Sequence, residues 1–192
     1  MQNFENAIQV YFGELSAEEL LIIRGYFKEE KLERNSYFTE SDKICDRLSF
    51  VKSGILRVYA LADGKEITQW IATENFLLTE VMGFFFNQHN CWSIQALTNT
   101  ELLTINKNDY KKLCSDFPKW LEIEKKFLMN CFSMMEDRVF SHLSMTAEQR
   151  YNAYFQKNKE LFNKVPLQFI ASVLGMTPET FSRIRSRQNT DS

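Results

Sequence analysis

The chain has 192 residues, enough for one ordinary domain and a smaller second one, and its hydrophobic fraction of 44% is ample for a core. Its formal net charge of -2 does not by itself indicate a nucleic-acid-binding protein. From Ala147 onward, however, seven Lys and Arg residues oppose four Asp and Glu residues, whereas 16 oppose 21 before it. An acidic body followed by a basic C-terminal part is expected if only that part contacts phosphates.

Residues that build metal, cofactor or catalytic sites are sparse. The four cysteines are widely separated without metal-ligand spacing, and the two histidines lack partners at such spacing. Phosphate-loop, serine-hydrolase and zinc-protease motifs are absent, as are a signal-peptide pattern and any run of ~18 apolar residues. We therefore expect a soluble cytoplasmic protein that is not an enzyme, holds no metal or cofactor and does not contact a membrane.

The first 32 residues have a helical pattern. Phe4, Ala7, Ile8 and Tyr11 share one helix face, and Ser16 to Glu19 has the sequence of a capping box. The pattern predicts two helices, of which the second ends near residue 27, and it assigns residues 1–32 to a helical segment that precedes the next domain.

Residues 33–105 have the pattern of an antiparallel β-domain. Short segments rich in β-branched and aromatic residues alternate with turn residues, and Asp63-Gly64 is a strong hairpin signal, with Ser53-Gly54 a weaker one. Many short strands at this spacing predict a small barrel or sandwich. The predicted strands are 37–38, 48–51, 55–61, 66–71, 92–97 and 101–105.

Helical signals return after residue 105. Residues 106–109 can cap a short helix, a longer helical pattern spans 118–145, and Thr146 with Gln149 forms a capping box for a further helix. The long pattern contains a heptad-like seam with one polar interruption, which favours pairing with a second copy. The alternative is a helix that lies on the β-domain. The seam residues are Leu121, Lys125, Leu128, Phe132, Met135 and Val139.

Residues 165–187 contain two short helical patterns on either side of Gly175. In the first, apolar residues recur at the three-and-four spacing of one helix face. Gly175 suits the left-handed position at the end of that helix, and Thr177 and Pro178 suit the start of the next. Phe181 and Ile184 are predicted to face inward. The pattern is that of a helix-turn-helix, whose second helix enters the DNA major groove.

The outward residues of the second helix have the chemistry that reads bases. Arg183 can bond a guanine edge, Glu179 can accept from a cytosine amino group and Ser182 suits either base. Thr177 and Thr180 can hold phosphates, which positions the helix without reading sequence. The alternative is a helical hairpin with a solvated basic face.

Two stretches of the sequence resemble the Crp/Fnr family of bacterial transcription regulators. Residues 168–187 resemble its C-terminal helix-turn-helix, and Glu179-x-x-Ser182-Arg183 resembles the base-reading triplet of its fumarate-nitrate branch. Residues 50–59 and 63–67 resemble the β-roll of the cyclic-nucleotide-binding fold, which is the sensor in that family. The two stretches occur in the family's order, and the resemblance extends from about residue 27 to 187.

The resemblance implies an α+β fold. It has an N-terminal antiparallel β-roll, a cyclic-nucleotide-binding-like jelly roll, followed by a long dimerisation helix and a C-terminal helical helix-turn-helix domain with a minimal wing or none. The implied boundaries are 1–117, 118–145 and 146–192.

The resemblance also assigns residues to DNA contacts. It places base contacts at Glu179, Ser182 and Arg183 and phosphate contacts at Gln168, Thr177 and Thr180. Pro178 stands where relatives of the cyclic-AMP receptor branch carry a base-reading arginine, so no operator sequence can be transferred. With the basic residues of the second helix, the predicted DNA-binding set is Gln168, Thr177, Glu179, Thr180, Ser182, Arg183, Arg185 and Arg187.

The predicted sensor lacks the family's phosphate-binding residues. Between Glu74 and Ala96 there is no Gly-Glu pair and no Arg or Lys, so a cyclic-nucleotide phosphate would have no cation there. We expect no cyclic-nucleotide binding in the family manner. The aromatic residues of this segment either fill the vacated pocket or help to form an apolar pocket for a different small molecule. The candidate effector-pocket residues are Trp70, Phe84 and Trp92.

The sequence thus predicts a homodimeric transcription regulator that binds an inverted-repeat operator. Its expected partners are double-stranded DNA, a second copy of the chain, RNA polymerase if it activates, and an unknown small-molecule effector if one exists. The alternative is a small-molecule-binding β-roll, acting as an effector module or an enzyme, whose C-terminal helices only pack.

Overall fold

The computed structural model of the protein describes residues 15–190. Strands dominate the first part of this range and helices the second. In chain order the elements are α1 (Ala17–Tyr26), β1 (Lys28–Leu32), β2 (Tyr37–Thr39), β3 (Arg47–Ser53), β4 (Leu56–Ala62), β5 (Lys65–Ala72), β6 (Leu77–Leu78), α2 (Val81–Phe86), β7 (Ser93–Ala96), β8 (Thr100–Asn106), α3 (Lys107–Asp116), α4 (Lys119–Ser144), α5 (Ala147–Lys157), α6 (Leu161–Lys164), α7 (Leu167–Val173) and α8 (Pro178–Thr190).

The strands form two antiparallel four-stranded sheets, in the orders β1-β8-β3-β6 and β2-β7-β4-β5. In the first sheet Phe50 lies opposite Leu103, and in the second Leu56 lies opposite both Ala72 and Ala96. The inward side chains of both sheets share one apolar cluster, so the sheets pack as the two walls of a roll. The antiparallel β-domain predicted from the sequence is therefore observed.

The two turn signals have different outcomes. Asp63-Gly64 joins β4 to β5 in a hairpin, with both residues at positive φ as a two-residue turn requires. Ser53-Gly54 does not form a hairpin, because β3 and β4 belong to different sheets. It is instead the corner through which the chain crosses from one sheet to the other, and Gly54 has a φ of 102° there.

The assignment of residues 28–32 to a helical segment was wrong. They form β1, which pairs with β8 along the edge of the first sheet. The sequence Lys-Glu-Glu-Lys-Leu favours a helix locally, but in the fold its charges lie along a sheet edge, where Lys31 pairs with Glu101 at 3.7 Å. The helix predicted around Phe4 lies outside the described residues.

Three helices begin at the capping residues that the sequence predicts. Ser16 with Glu19 and Thr146 with Gln149 each form both hydrogen bonds of a capping box. Asn106 caps α3 by accepting from two backbone N–H groups. Two short helices, α2 and α6, were not predicted, because segments of six and four residues are too short to show a helical period.

Helix α4 leaves the roll and leads to the C-terminal helices. Its 26 residues span about 39 Å, and only its first two turns are buried, through Trp120 and Ile123. Helices α5 to α8 enclose a second core that includes Tyr151, Phe162 and Phe181. Residues 107–190 contain no strand, so no wing occurs within the described part of the chain.

Gly54→Ala should destabilise the fold by about 2 kcal/mol, since it places a side chain at a positive φ. The added Cβ would also lie 2.8 Å from the Asn99 carbonyl oxygen, well inside contact distance. Gly25→Ala is the matched control, because nothing lies within 4 Å of its added Cβ and Ala favours the helix. Urea unfolding measures both variants. Equal stabilities for Gly54→Ala and Gly25→Ala would contradict the account of the inter-sheet corner.

Candidate nucleic-acid interface

The turn between α7 and α8 is built as a helix-turn-helix. Gly175 has a φ of 64°, and the Met176 N–H donates to the Ala171 carbonyl at 2.9 Å, which closes the end of α7. Thr177 then caps α8 through its Oγ1, which accepts from the Thr180 N–H at 3.2 Å. The local signals found in the sequence therefore act as expected at this turn.

One face of α8 is fixed in the C-terminal core. Phe181 is 2% exposed, and its ring lies 5.2 Å from that of Tyr151 and 6.0 Å from that of Phe162. Ile184 is also buried in this cluster. Because residues 181 and 184 point inward, the opposite face of the helix is left open to solvent.

That open face contains the residues predicted to read bases. Glu179, Ser182 and Arg183 are all exposed and recur at three-and-four spacing, which places them on one side of α8. The pKa of the Glu179 carboxyl is lowered by its own backbone N–H and then by the Thr177 hydroxyl, so the side chain is ionised and available as an acceptor at neutral pH.

The remaining predicted residues flank this face. Gln168 on α7, Thr177 at the turn and Arg187 on the last turns of α8 are exposed. Thr180 and Arg185 are half-buried. The structure thus places seven of the eight predicted DNA-binding residues on or next to α8, with Gln168 on the preceding helix.

Helix α7 is docked on the β-roll through a buried arginine. Arg57 of β4 is 1% exposed, and its guanidinium lies between the rings of Tyr59 at 3.8 Å and Phe169 of α7 at 3.9 Å. Glu66 neutralises the arginine at 2.5 Å. This contact could not be predicted from the sequence, because an arginine in the middle of a strand gives no indication that it stacks on a residue 112 positions later.

Backbone groups complete the docking. The Thr68 N–H of β5 donates to the Ser172 hydroxyl of α7 at 2.8 Å. Arg138 of α4 donates to the carbonyls of Gln69 on β5 and of Val173 on α7, the second at 3.0 Å. The orientation of the helix-turn-helix is therefore set jointly by the roll and by α4.

A cavity of about 590 Å³ lies between α4 and the roll. Trp70 lines it, but the other two candidate effector-pocket residues do not. Phe84 is buried in the roll core, edge-on to Phe85 and Tyr110, and Trp92 lies outside the cavity lining. The structure does not bring these three aromatic residues together.

The buried polar side chains of the segment 75–95 are engaged within the protein. Glu80 is buried and accepts from the backbone N–H groups of Gly83 at 2.8 Å and Cys91 at 3.2 Å. Asn90 is also buried; it accepts from the Cys45 N–H at 3.0 Å and donates to Thr39 and to the Glu40 carbonyl. These bonds leave little polar capacity for a ribose or a phosphate.

Residues 15–190 contain no group of three or more His, Cys, Asp or Glu side chains that could hold a metal ion. Over the same range, no helix combines the length and apolar character needed to cross a membrane.

Comparisons with known proteins agree with this architecture. Residues 29–117 match the family described as the cyclic nucleotide-binding domain. The anaerobic regulatory protein of Bacillus subtilis (strain 168) is 24% identical in an alignment of 115 residues that covers 56% of this chain and 48% of the relative. The match thus spans about half the length of that curated relative.

Two solved structures share the fold over most of the described chain. The c-di-GMP-responsive global regulator CLP of Xanthomonas campestris is 14% identical with a TM-score of 0.72, covering 92% of this chain and 93% of its own. FixK2 of Bradyrhizobium japonicum is 17% identical with a TM-score of 0.69, covering 86% and 85%. The chain has the Crp/Fnr fold, and residues 29–117 are the part that is similar to the cyclic nucleotide-binding domain. The family resemblance and the fold class predicted from the sequence are therefore confirmed.

Within this Crp/Fnr fold, Phe169→Ala should loosen the contact between α7 and the roll. Loss of a cation–π contact worth about 0.5–2 kcal/mol should speed hydrogen exchange at the Thr68 amide about 2- to 30-fold. Phe169→Leu keeps apolar cover without a ring and should give an intermediate effect. Phe140→Ala, at an exposed ring on α4, is the control. Unchanged exchange at Thr68 in Phe169→Ala would contradict this role of Arg57.

Proposed function

We propose that the protein is a homodimeric transcription regulator that binds an inverted-repeat DNA operator. The observation that carries the proposal is the open face of α8, on which Glu179, Ser182 and Arg183 stand exposed while Phe181 and Ile184 hold the helix in its core. An exposed, rigidly held helix with a carboxylate, a hydroxyl and a guanidinium on one side has the chemistry of base reading in the major groove.

The exposed seam of α4 supports the dimer. Leu121, Leu128, Phe132, Met135 and Val139 are all more than 40% exposed, and together they form an apolar stripe that Lys125 interrupts once. A second copy that covers this stripe would set the two recognition helices about one DNA turn, ~34 Å, apart. The operator should then be an inverted repeat, because a two-fold dimer presents the same helix to each half-site.

Residues 75–95 of the roll support a regulator that does not bind cyclic nucleotides. Between Asn75 and Gln95 there is no Arg or Lys to neutralise a phosphate, and Glu80 and Asn90 are occupied by protein groups. Isothermal titration calorimetry with cyclic AMP should therefore give no micromolar binding.

If the protein activates transcription, RNA polymerase is its further partner.

The alternative, a ligand-binding roll whose C-terminal helices only pack, makes a different prediction for DNA. Selection from random duplexes by the purified protein should enrich a palindromic sequence if α8 reads bases. The absence of any enriched palindrome, together with binding that is insensitive to salt, would favour the alternative.

Arg183→Ala should cost about 1–3 kcal/mol on the selected operator and relax the preference at one base position, because it removes a contact to a base edge. Arg187→Ala is the matched comparison. It should weaken specific and random duplexes alike and flatten the salt dependence, because it removes a phosphate contact. Fluorescence anisotropy on both duplexes at several salt concentrations measures the difference. Equal losses on the two duplexes for Arg183→Ala would count against base reading.

Phe132→Lys should convert the dimer into monomers, because it places a charge in the centre of the α4 seam. Met129→Lys is the matched control, since Met129 is equally exposed on the same helix but lies off the seam. Sedimentation velocity measures both variants. A dimer that survives Phe132→Lys, or that is lost equally in Met129→Lys, would exclude the seam as the interface.

A further inference from the structure

The cavity between α4 and the roll is long and mostly apolar. It follows α4 from Trp120 to Leu143 and has a volume of about 590 Å³, within the range of small-molecule sites. Its walls come from the roll on one side and from α4 on the other. Three of the α4 side chains, Leu128, Met135 and Val139, also belong to the exposed seam, so a paired copy would lie along the open side of the cavity. Side chains that line it include Trp70, Phe76, Phe127, Leu128, Cys131 and Met134.

One strong positive charge faces this apolar space. Arg138 is the single lysine or arginine among the lining side chains and lies beside His142. The two hydrogen bonds of its guanidinium go to the carbonyls of Gln69 and Val173, and no carboxylate among the described residues forms an ion pair with it. Burial lowers the pKa of Arg138, since the charge has lost part of its water. An incompletely neutralised guanidinium at an apolar wall is a site for an anion.

The lining side chains include one carboxyl group, that of Glu124. Glu124 accepts a hydrogen bond from the Tyr110 hydroxyl, and burial raises its pKa. It precedes Arg138 by 14 positions on the same helix, so the two groups are ~21 Å apart along its axis. The cavity therefore has a positive end next to the helix-turn-helix and a long apolar stretch toward Glu124.

We propose that this cavity binds an amphipathic carboxylate, with a fatty-acid-like chain along α4 and the carboxylate on Arg138. Burial of the ligand's alkyl chain against the apolar walls favours binding, and the ligand's carboxylate supplies the counter-charge that the protein does not give to Arg138. The binding is independent of the proposed DNA-binding function; only its regulatory consequence rests on that function.

The regulatory consequence follows from the position of Arg138. The same guanidinium ties β5 to α7, so a carboxylate that draws it toward the cavity competes with the Gln69 and Val173 carbonyls. Ligand occupancy is thereby coupled to the docking of the helix-turn-helix, and by linkage DNA alters the affinity for the carboxylate in turn.

The test uses decanoate and decan-1-ol, which share a chain and differ in charge. Calorimetry on the full chain, below the micelle concentration, should show decanoate binding that weakens at least tenfold in Arg138→Gln, the factor expected for a lost charge-assisted hydrogen bond. Lys126→Gln, an exposed charge change on the same helix, should leave it unchanged. Decan-1-ol binding should be the same in the wild-type protein and in Arg138→Gln.

Three results would overturn the proposal: no binding of decanoate to the wild-type chain, equal affinities for decanoate and decan-1-ol, or equal decanoate binding in Arg138→Gln. If Arg138→Gln does not fold, Arg138→Lys provides the comparison, because it keeps the charge and should retain part of the preference for the carboxylate. A cavity filled by the second copy of the chain appears as the first of these results. The duplex selection described above tests DNA binding without this ligand, so the two proposals can fail separately.

Discussion

The arrangement of this molecule depends on how α7 is held against the β-roll. The Arg57 guanidinium stacks on Phe169, the Thr68 N–H bonds to Ser172, and Arg138 bonds to both partners of the contact. Since α7 and α8 share one core, these contacts orient α8 as well. The direction in which α8 faces is therefore a property of the roll and of α4, and not of the helix-turn-helix alone.

Some polar atoms at the contact between α7 and the roll lack a hydrogen-bond partner. Within the described chain, Arg57 Nε and Thr68 Oγ1 are buried without a hydrogen-bond partner, and both lie at this contact. A buried polar atom without a partner costs about 1–3 kcal/mol, so part of the gain from stacking and burial is offset there. The contact thus combines specific geometry with two unpartnered polar atoms that lower its net contribution to stability.

The sequence predicted elements whose causes are local. Capping boxes, the Asp63-Gly64 hairpin and the glycine turn at Gly175 each depend on a few adjacent residues, and all three appear in the structure. The prediction failed where partners distant in sequence decide the outcome. Residues 28–32 became a strand because β8 was available to pair with them, and Ser53-Gly54 became a corner because its two strands belong to different sheets.

The same division applies to the candidate site. The outward residues of α8 could be predicted, because helical periodicity alone separates them from Phe181 and Ile184. The roles of Arg57 and Arg138 could not, because their partners are aromatic rings and backbone carbonyls that come close only in the folded chain. The aromatic residues Trp70, Phe84 and Trp92 were grouped by type, and the fold distributes them over three different environments.

The charged edge strand β1 has a consequence for how copies of this protein meet. An open sheet edge can pair with a strand from another molecule, and the lysine and glutamate side chains of β1 make such pairing costly. Lys28, Glu29 and Lys31 line this border and are already matched by charges of their own sheet and helices. Strand addition is thereby discouraged at this edge of the first sheet, a constraint on self-association that is separate from the apolar side of α4.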